Sequence, residues 1–287
     1  MFESIGRSFT LVKTSWNILM DDKKLLVFPI MSGIVTLLVI ATFVLPLLLA
    51  GNFLNMNSMG PVFYYGLLFA FYVVSYFVVI FFNTALISCV NARLNGQTMT
   101  AQEGLSHAAK HIGSILVWAL ISATVGLLLQ VLEDKAGFAG QIAGALVGGA
   151  WSLVTFFVVP VLVLEDKGVV EAVKESVSLI RKTWGESIVG GGGIMIVFVL
   201  AGIVIGLLLA LLSIIVAPVI GGAAAFGIAL GLFLIVVVIL AVIASAMQGI
   251  FVTALFAYAK TGTVPSAFNK DQIENAFAPK PAGPGII

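Results

Sequence analysis

Charged residues are scarce in this chain of 287 residues: they make up 9% of it, against 61% hydrophobic residues. A soluble domain has about 25% charged and roughly 45–50% apolar residues, so this chain has too little polar surface to cover a water-soluble globule. The composition excludes a soluble enzyme and a disordered scaffold. The net charge of +1 gives no electrostatic basis for binding nucleic acid. The single cysteine, Cys89, excludes an intrachain disulfide and a multi-cysteine metal site.

Long apolar runs, in contrast, are abundant. Six stretches contain no charged residue and no histidine, and each approaches or exceeds the roughly 20 residues of a membrane helix. They are Leu25–Ala50, Val62–Val90, Ser114–Leu132, Phe138–Leu164, Ile188–Val216 and Ala223–Ala259. The sequence therefore predicts an all-α, polytopic membrane bundle of six transmembrane helices. The sixth stretch is too long for the bilayer, so we expect its end to project into water or to lie against other helices.

The basic residues predict an orientation, because they favour the cytoplasmic side of a membrane protein. Of the fourteen Lys and Arg residues, only Lys135 lies in a loop on the predicted outer side. We expect a multi-pass protein of the prokaryotic cytoplasmic (inner) membrane with both termini in the cytoplasm. The predicted domains are a single transmembrane domain over residues 1–260 and a cytoplasmic tail over residues 261–287.

Three segments outside the spans have apolar residues at alternating steps of three and four, the spacing of an amphipathic helix. Ser8–Trp16 aligns with Ser176–Trp184, and Glu103–Gly113 aligns with Glu175–Gly185; Thr100 and Glu103 form a capping-box start. Each segment precedes two spans, which predicts three repeat units over about 1–90, 100–164 and 168–259. We expect three amphipathic helices on the cytoplasmic membrane surface, packed there through Phe9, Val12, Trp16, Leu105, Ile112, Val177, Ile180 and Trp184.

Glycines recur at four-residue intervals in the last three spans, a spacing that lets helix backbones approach closely in lipid. The residues predicted to pack helices, within the bundle or between subunits, are Gly140, Gly144, Gly148, Gly202, Gly206, Gly227 and Gly231. Gly190–Gly193 lie where the third amphipathic segment, which contains Ser176–Trp184, meets the fifth span, and we expect flexibility or close packing there. Pro160 is expected to kink the fourth span, because proline removes a helix hydrogen bond.

Uncharged polar residues within the spans have two interpretations. The first interpretation is that these residues form polar contacts that hold the bundle together, since hydrogen bonds between helices contribute about 0.6–2 kcal/mol each. The second is the lining of a pathway for a small solute, for which the candidates are Asn83, Thr84, Gln248 and Thr253. Ionisable groups inside a membrane mark ion and proton pathways, and the spans have none, so coupling to an ion gradient is not expected.

Glu103, His107 and His111 are spaced four residues apart and share one helix face, which is a geometry that a metal could use. The chain has no further histidine, and a complete site would need a second subunit. We therefore predict no metal, no cofactor and no catalytic residue, and favour a solvated, pH-sensitive helix face.

Five segments carry a recognisable pattern: Ser8–Trp16, Leu25–Ile30, Tyr76–Leu86, Trp151–Glu165 and Ala257–Gly262. Together they resemble an uncharacterised family of bacterial and archaeal six-span integral membrane proteins, and the resemblance covers nearly the whole chain. It implies the six-span fold. It implies no activity and no catalytic residue, because the family has neither established.

Two functions remain as hypotheses. The first is a non-enzymatic bundle that organises the membrane or binds a partner, with a lipid-interacting cytoplasmic face, since amphipathic helices lie in the headgroup plane or dock on a partner. The alternative is a channel or permease for a small neutral or lipidic solute, not ion-coupled. The expected partners are membrane lipids, with a homo-oligomer or another membrane protein as further partners, and no nucleic acid.

Overall fold

The computed structural model describes residues 15–49 and 60–261, without the side chains of residues 61, 135–139, 182–191 and 220. Within these residues the fold consists of helices and contains no strand. Three predictions fall outside the described residues: the packing of Phe9 and Val12, the packing of the Trp184 side chain, and the tail over residues 262–287.

The helices follow one another with short connections. The described part of α1 covers residues 15–21, and a 3₁₀ turn follows at Lys23–Leu26. The remaining helices are α2 Val27–Leu49, α3 Pro61–Leu94, α4 Ala101–Lys110, α5 Ile112–Val154, α6 Val158–Leu164, α7 Val169–Ile220 and α8 Gly222–Thr261. The segments long and apolar enough to cross a membrane are Lys23–Leu49, Val62–Leu94, Ile112–Asp134, Gly140–Leu164, Gly192–Val219 and Gly222–Thr261. An all-α fold with six candidate spans is therefore confirmed.

Helix α5 contains both the third span and most of the fourth, and it reverses direction between them. The Trp118 and Trp151 rings stack with their centroids 5.8 Å apart. A straight helix would separate residues 33 positions apart by about 50 Å. A Cβ built on Gly144 would lie 2.5 Å from the Glu133 carboxylate. The chain therefore turns back between Glu133 and Gly144, and the two spans pack as an antiparallel pair.

Helix α7 joins the third predicted amphipathic segment to the fifth span without interruption over Val169–Ile220. Gly190–Gly193 lie within this continuous helix. A Cβ built on Gly192 would meet nothing within 4 Å, so close packing is not observed at this glycine. Flexibility at the four glycines stays a prediction.

The buried core lies at one end of the bundle. Phe28, Leu86, Phe157 and Ile250 are each at most 2% exposed and belong to one hydrophobic cluster. The end of the sixth span contributes to it, with buried residues from Ala246 to Phe256, so that end lies against other helices as expected. Toward the opposite end, apolar side chains remain largely exposed; examples are Leu38, Leu208 and Ile235. Exposed leucines and isoleucines on candidate spans are compatible with lipid chains, which are equally apolar.

Ion pairs connect helix ends beside this core, and we call this part of the bundle the charged end. Arg93, near the end of α3, lies 3.3 Å from Asp22, which precedes α2. Lys260, near the end of α8, lies 2.5 Å from Glu165, which follows α6. The start of α2 and the ends of α3, α6 and α8 therefore meet at the charged end. That the charged end is cytoplasmic stays a prediction from the distribution of basic residues.

Candidate functional site

A cavity of about 220 Å³ lies between α2, α3 and α8, next to the core. Two predicted pathway residues, Asn83 and Gln248, line it together with Ser32 and Ser245. The other lining residues are apolar: Phe28, Pro29, Val79, Phe82, Leu86, Gly249 and Val252. Four uncharged polar side chains from three helices therefore converge in one small space, which we call the polar cavity. Within the described residues, none of these four side chains forms a hydrogen bond.

Thr84 and Thr253, the other two predicted pathway residues, do not line the polar cavity. Both are fully buried. The Thr253 hydroxyl donates a hydrogen bond of 2.7 Å to the carbonyl of Gly249 within its own helix. The Thr84 hydroxyl has no hydrogen-bond partner among the described residues. These two threonines therefore belong to the packed core in this structure.

A larger groove of about 640 Å³ runs between α7 and α8. Its walls are apolar except for Ser245 and Gln248, which lie at one end and also line the polar cavity. The remaining lining residues are Ile194, Met195, Phe198, Val199, Gly202, Ile203, Phe233, Val237, Leu240, Ala241 and Ala244. Space is left between the helices because several of these residues are small. We call this feature the α7–α8 groove; two polar side chains line both this groove and the polar cavity.

The predicted glycine contacts are found at some positions and not at others. A Cβ on Gly206 would lie 2.9 Å from the Phe233 ring, and one on Gly148 would lie 3.6 Å from Leu129. Gly144 faces Glu133 as described above, and Gly140 is buried. A Cβ on Gly202 would lie 3.9 Å from Leu240. Helix α8 therefore approaches α7 more closely at Gly206 than at Gly202.

Gly227 and Gly231, in contrast, face open space: a Cβ at either position would meet nothing within 4 Å. Their predicted packing within the chain is not observed among the described residues, and packing against a second copy stays a prediction. The structure places two other glycines, Gly104 and Gly249, in tight contacts that the four-residue spacing did not identify. Neither has a glycine partner four residues away, so the sequence carried no signal for them.

The residues predicted to pack at the membrane surface divide into buried and exposed ones. Ile180 is 6% exposed and lies in the core, and Leu105 packs against the core. Val177 is half-buried. Trp16 and Ile112 are 39% and 51% exposed. Contact of these exposed side chains with the membrane surface stays a prediction.

A serine and a histidine form a hydrogen bond between α3 and α4. The Ser88 hydroxyl lies 3.0 Å from Nδ1 of His107 and donates its proton to the Thr84 carbonyl at 2.9 Å. A hydroxyl has one proton, so the His107 Nδ1–H is the donor to Ser88. Burial lowers the pKa of His107, with smaller contributions from His111 and Lys110. His107 is therefore neutral near pH 7 and anchors α4 to α3.

The other members of the candidate metal motif are engaged elsewhere. The His111 ring lies beside that of His107, with the centroids 4.9 Å apart and the ring planes tilted by 50°, and its Nδ1 is 3.5 Å from the Asp166 carboxylate. Glu103 accepts hydrogen bonds from the backbone N–H and hydroxyl of Thr100, which confirms the predicted capping box. Among the described residues, no group of three His, Cys, Asp or Glu side chains is arranged to hold a metal ion.

Four charged side chains at the charged end form a closed ring of alternating sign. Lys167 lies 2.6 Å from Glu165 and 2.7 Å from Glu175, and Lys260 contacts both carboxylates as well. The four side chains are 20–33% exposed. Every charge has two partners, so the ring connects the loop after α6 to α7 and to the end of α8.

Glu175→Gln should lower the free energy of unfolding by about 1 kcal/mol at pH 7, because it removes one charge from a partly exposed ring. Hydrogen bonds from Lys167 and Lys260 lower the pKa of Glu175 from 4.5 to about 2. A carboxylate with a lowered folded-state pKa stabilises the fold above its unfolded pKa and loses that effect as the pH falls toward 2. The difference between wild type and variant, measured by denaturation in mixed micelles, should therefore shrink from pH 7 to pH 3.

Glu171→Gln is the matched control, since Glu171 is exposed and lies one turn earlier on the same helix. It should leave stability unchanged at both pH values. If Glu175→Gln is as stable as the wild type at pH 7, or if the difference stays constant down to pH 3, the ionised Glu175 carboxylate does not stabilise the fold through the ring.

Comparison with known proteins identifies a family whose function is unknown. No match was found among curated proteins. A family model described as a family of unknown function, DUF6159, matches residues 62–266. The matched residues include five of the six candidate spans, together with Asn83, Ser245, Gln248 and the charged ring. This chain, which is all-α with six candidate spans in its described part, therefore belongs to the DUF6159 family.

Proposed function

We propose that this protein is a non-enzymatic membrane bundle that binds a lipidic molecule from the bilayer and thereby organises lipid around its charged end. The α7–α8 groove is the observation that carries the proposal. Met195, Val199 and Ile203, on its wall, are 68%, 50% and 53% exposed, so the groove is open sideways. A hydrocarbon chain can enter such a groove directly from the bilayer.

The size and lining of the groove suit a lipid chain. Its volume of about 640 Å³ lies within the roughly 300–1,000 Å³ of ligand-binding pockets. Bulk lipid is as apolar as the groove wall, so hydrophobicity alone gives no preference for a bound lipid over a bulk one. Selectivity must come from shape and from Ser245 and Gln248 at the polar end.

An enzymatic role has weaker support. A serine nucleophile needs an adjacent base that accepts its proton. The Ser88 proton is already donated to a backbone carbonyl, and His107 is the donor in their mutual hydrogen bond. This geometry favours a structural hydrogen bond over nucleophilic catalysis.

Val237→Trp should reduce the lipid that is retained on purification in mild detergent. Val237 lines the α7–α8 groove, and an indole ring there would occupy the space of the chain. We expect the Kd for the lipid to rise at least about tenfold, equivalent to about 1.4 kcal/mol, and the occupancy to fall accordingly. Native mass spectrometry of the purified protein measures the occupancy.

Val238→Trp is the matched control, because it makes the same change at the next residue, which is 61% exposed and does not line the groove. It should retain lipid like the wild type. Equal occupancy in the wild type and both variants would contradict the proposed function.

A second candidate function, a permease for a lipidic solute, is favoured by one specific feature. Ser245 and Gln248 line both the α7–α8 groove and the polar cavity, so rotation of these two side chains could widen the passage between them. Reconstituted vesicles test this by following an added fluorescent lipid between leaflets. Transfer should follow the gradient of the lipid itself, and transfer driven by a proton or sodium gradient would contradict this version.

A further inference from the structure

We infer that the lipidic molecule has one hydrocarbon chain, seated in the α7–α8 groove, and an uncharged, hydrogen-bonding headgroup, seated in the polar cavity. This inference rests on the proposed function and specifies its ligand. Monoacylglycerols and other long-chain alcohols or amides are the chemical class that it describes.

The dimensions of the groove fit one chain. Its lining on α8 runs from Phe233 to Gln248, which is about 22 Å at 1.5 Å per residue. One leaflet contributes about half of a hydrocarbon core that is roughly 30 Å thick. A groove between only two helices, somewhat longer than one leaflet is deep, accommodates a single extended chain.

The polar end of the groove has the right position for a headgroup. Gln248 is followed by Gly249, whose Cβ position faces Leu86 in the core. The polar cavity includes Phe28 and Pro29 at the start of α2. It therefore lies where the spans meet the charged end, and the groove extends from it into the apolar part of the bundle. A lipid of the adjacent leaflet has the same order of headgroup and chain.

The chemistry of the cavity selects the charge of the headgroup. Among the side chains that the structure describes, no charged one lines the groove or the polar cavity. A phosphate or carboxylate placed there would lose hydration without gaining a cationic partner, which is costly. The Asn83 and Gln248 amides and the Ser32 and Ser245 hydroxyls offer both donors and acceptors, and within the described residues these side chains have no hydrogen-bond partner. Hydroxyl or amide groups of a ligand satisfy both kinds of atom.

The test compares two probes that share an acyl chain and a glycerol group and differ in charge: a monoacylglycerol and the corresponding lysophosphatidylglycerol. Each is titrated into delipidated, full-length protein and followed by native mass spectrometry. The wild type should bind the monoacylglycerol with a Kd at least about tenfold lower than its Kd for the lysophosphatidylglycerol. Gln248→Leu should weaken the monoacylglycerol about tenfold, because a ligand hydroxyl loses its partner, and should leave the charged probe nearly unchanged. Gln141→Leu, on an exposed position of α5, should change neither.

The outcomes separate the inference from the proposed function. If Val237→Trp abolishes binding of both probes but the wild type binds them equally, the groove holds a lipid and the uncharged headgroup is wrong. The same conclusion follows if Gln248→Leu weakens both probes equally. If Val237→Trp and Val238→Trp bind both probes like the wild type, the groove is not the site, and the proposed function falls together with the inference.

Discussion

Replacing Ser176 by alanine should markedly lower the free energy of unfolding of the protein. The Ser176 side chain, on α7, accepts a hydrogen bond of 3.1 Å from the Phe157 N–H and donates one of 2.6 Å to the Val154 carbonyl. Ser176 and Phe157 are fully buried. Leaving a buried polar group unsatisfied costs roughly 1–3 kcal/mol. Alanine would leave both the buried Phe157 N–H and the half-buried Val154 carbonyl without this partner.

The reason for this arrangement is the break between α5 and α6. Pro160 has no N–H, and its ring clashes with the carbonyl four residues earlier, which is that of Phe156. The expected kink therefore takes the form of a turn over residues 155–157. The turn leaves the Phe157 N–H and the Val154 carbonyl without helical partners, and Ser176 supplies both from the neighbouring helix.

The measurement is the free energy of unfolding in mixed micelles of a mild detergent and dodecyl sulfate. Ser178→Ala is the control, since Ser178 is exposed and lies two residues along the same helix; it should have little effect. If the two alanine variants are equally stable, the broken turn finds its hydrogen bonds elsewhere and Ser176 does not hold it.

Gly104→Val should lower the free energy of unfolding by about 3 kcal/mol, because overpacking a filled site costs about 1–3 kcal/mol or more. Even the first added carbon has no room. A Cβ on Gly104 would lie 2.6 Å from the Cys89 sulfur, 3.0 Å from the Ala85 carbonyl oxygen and 3.2 Å from the Phe28 ring. The Ala85 oxygen belongs to the backbone of α3, so α4 would have to move away from α3.

Gly113→Val provides the comparison, because a Cβ on Gly113 would meet nothing within 4 Å. Valine has a slightly higher helix propensity than glycine, so this variant should be as stable as the wild type or more stable by a few tenths of a kcal/mol. The same denaturation assay applies, and the Ser88–His107 hydrogen bond, which lies on the same contact between α3 and α4, should weaken only in the Gly104 variant. Equal stability of the two valine variants would mean that α4 is not held tightly against α3.

The sequence predicted the spans well, because the bilayer imposes a length and a composition that each segment satisfies by itself. The capping box at Thr100 and Glu103 was equally predictable, since both residues lie within one turn. Among the pathway candidates, Asn83 and Gln248 meet in one cavity, whereas Thr84 and Thr253 lie in the core. All four were chosen for their polarity. Polarity alone could not distinguish the residues that line the cavity from those in the core, because that difference depends on which helix faces oppose each other.

Features that depend on distant residues were not predictable from local patterns. Ser32 and Ser245 were not chosen as lining residues, since only the packing of α2 against α8 brings them together. Ser176 was recognised as a repeated position, but its role depends on a turn about twenty residues earlier. Gly104 and Ser176 are aligned in the proposed repeat and are both buried against the preceding span, which is a contact that periodicity does not encode.

Because the buried core lies at one end of the bundle, the thickness of the bilayer can influence the shape of the α7–α8 groove. Helix α8 has 40 residues, about 60 Å at 1.5 Å per residue, and its part from Ala246 onward is held by the core. The remaining residues, Gly222–Ser245, cover about 36 Å, which is more than the roughly 30 Å of hydrocarbon in an average bilayer. Such an excess is accommodated by tilt, at a cost of fractions of a kcal/mol per Å. In a thinner bilayer we expect the α7–α8 pair to tilt further about its fixed base, so hydrophobic mismatch would set how widely the groove opens.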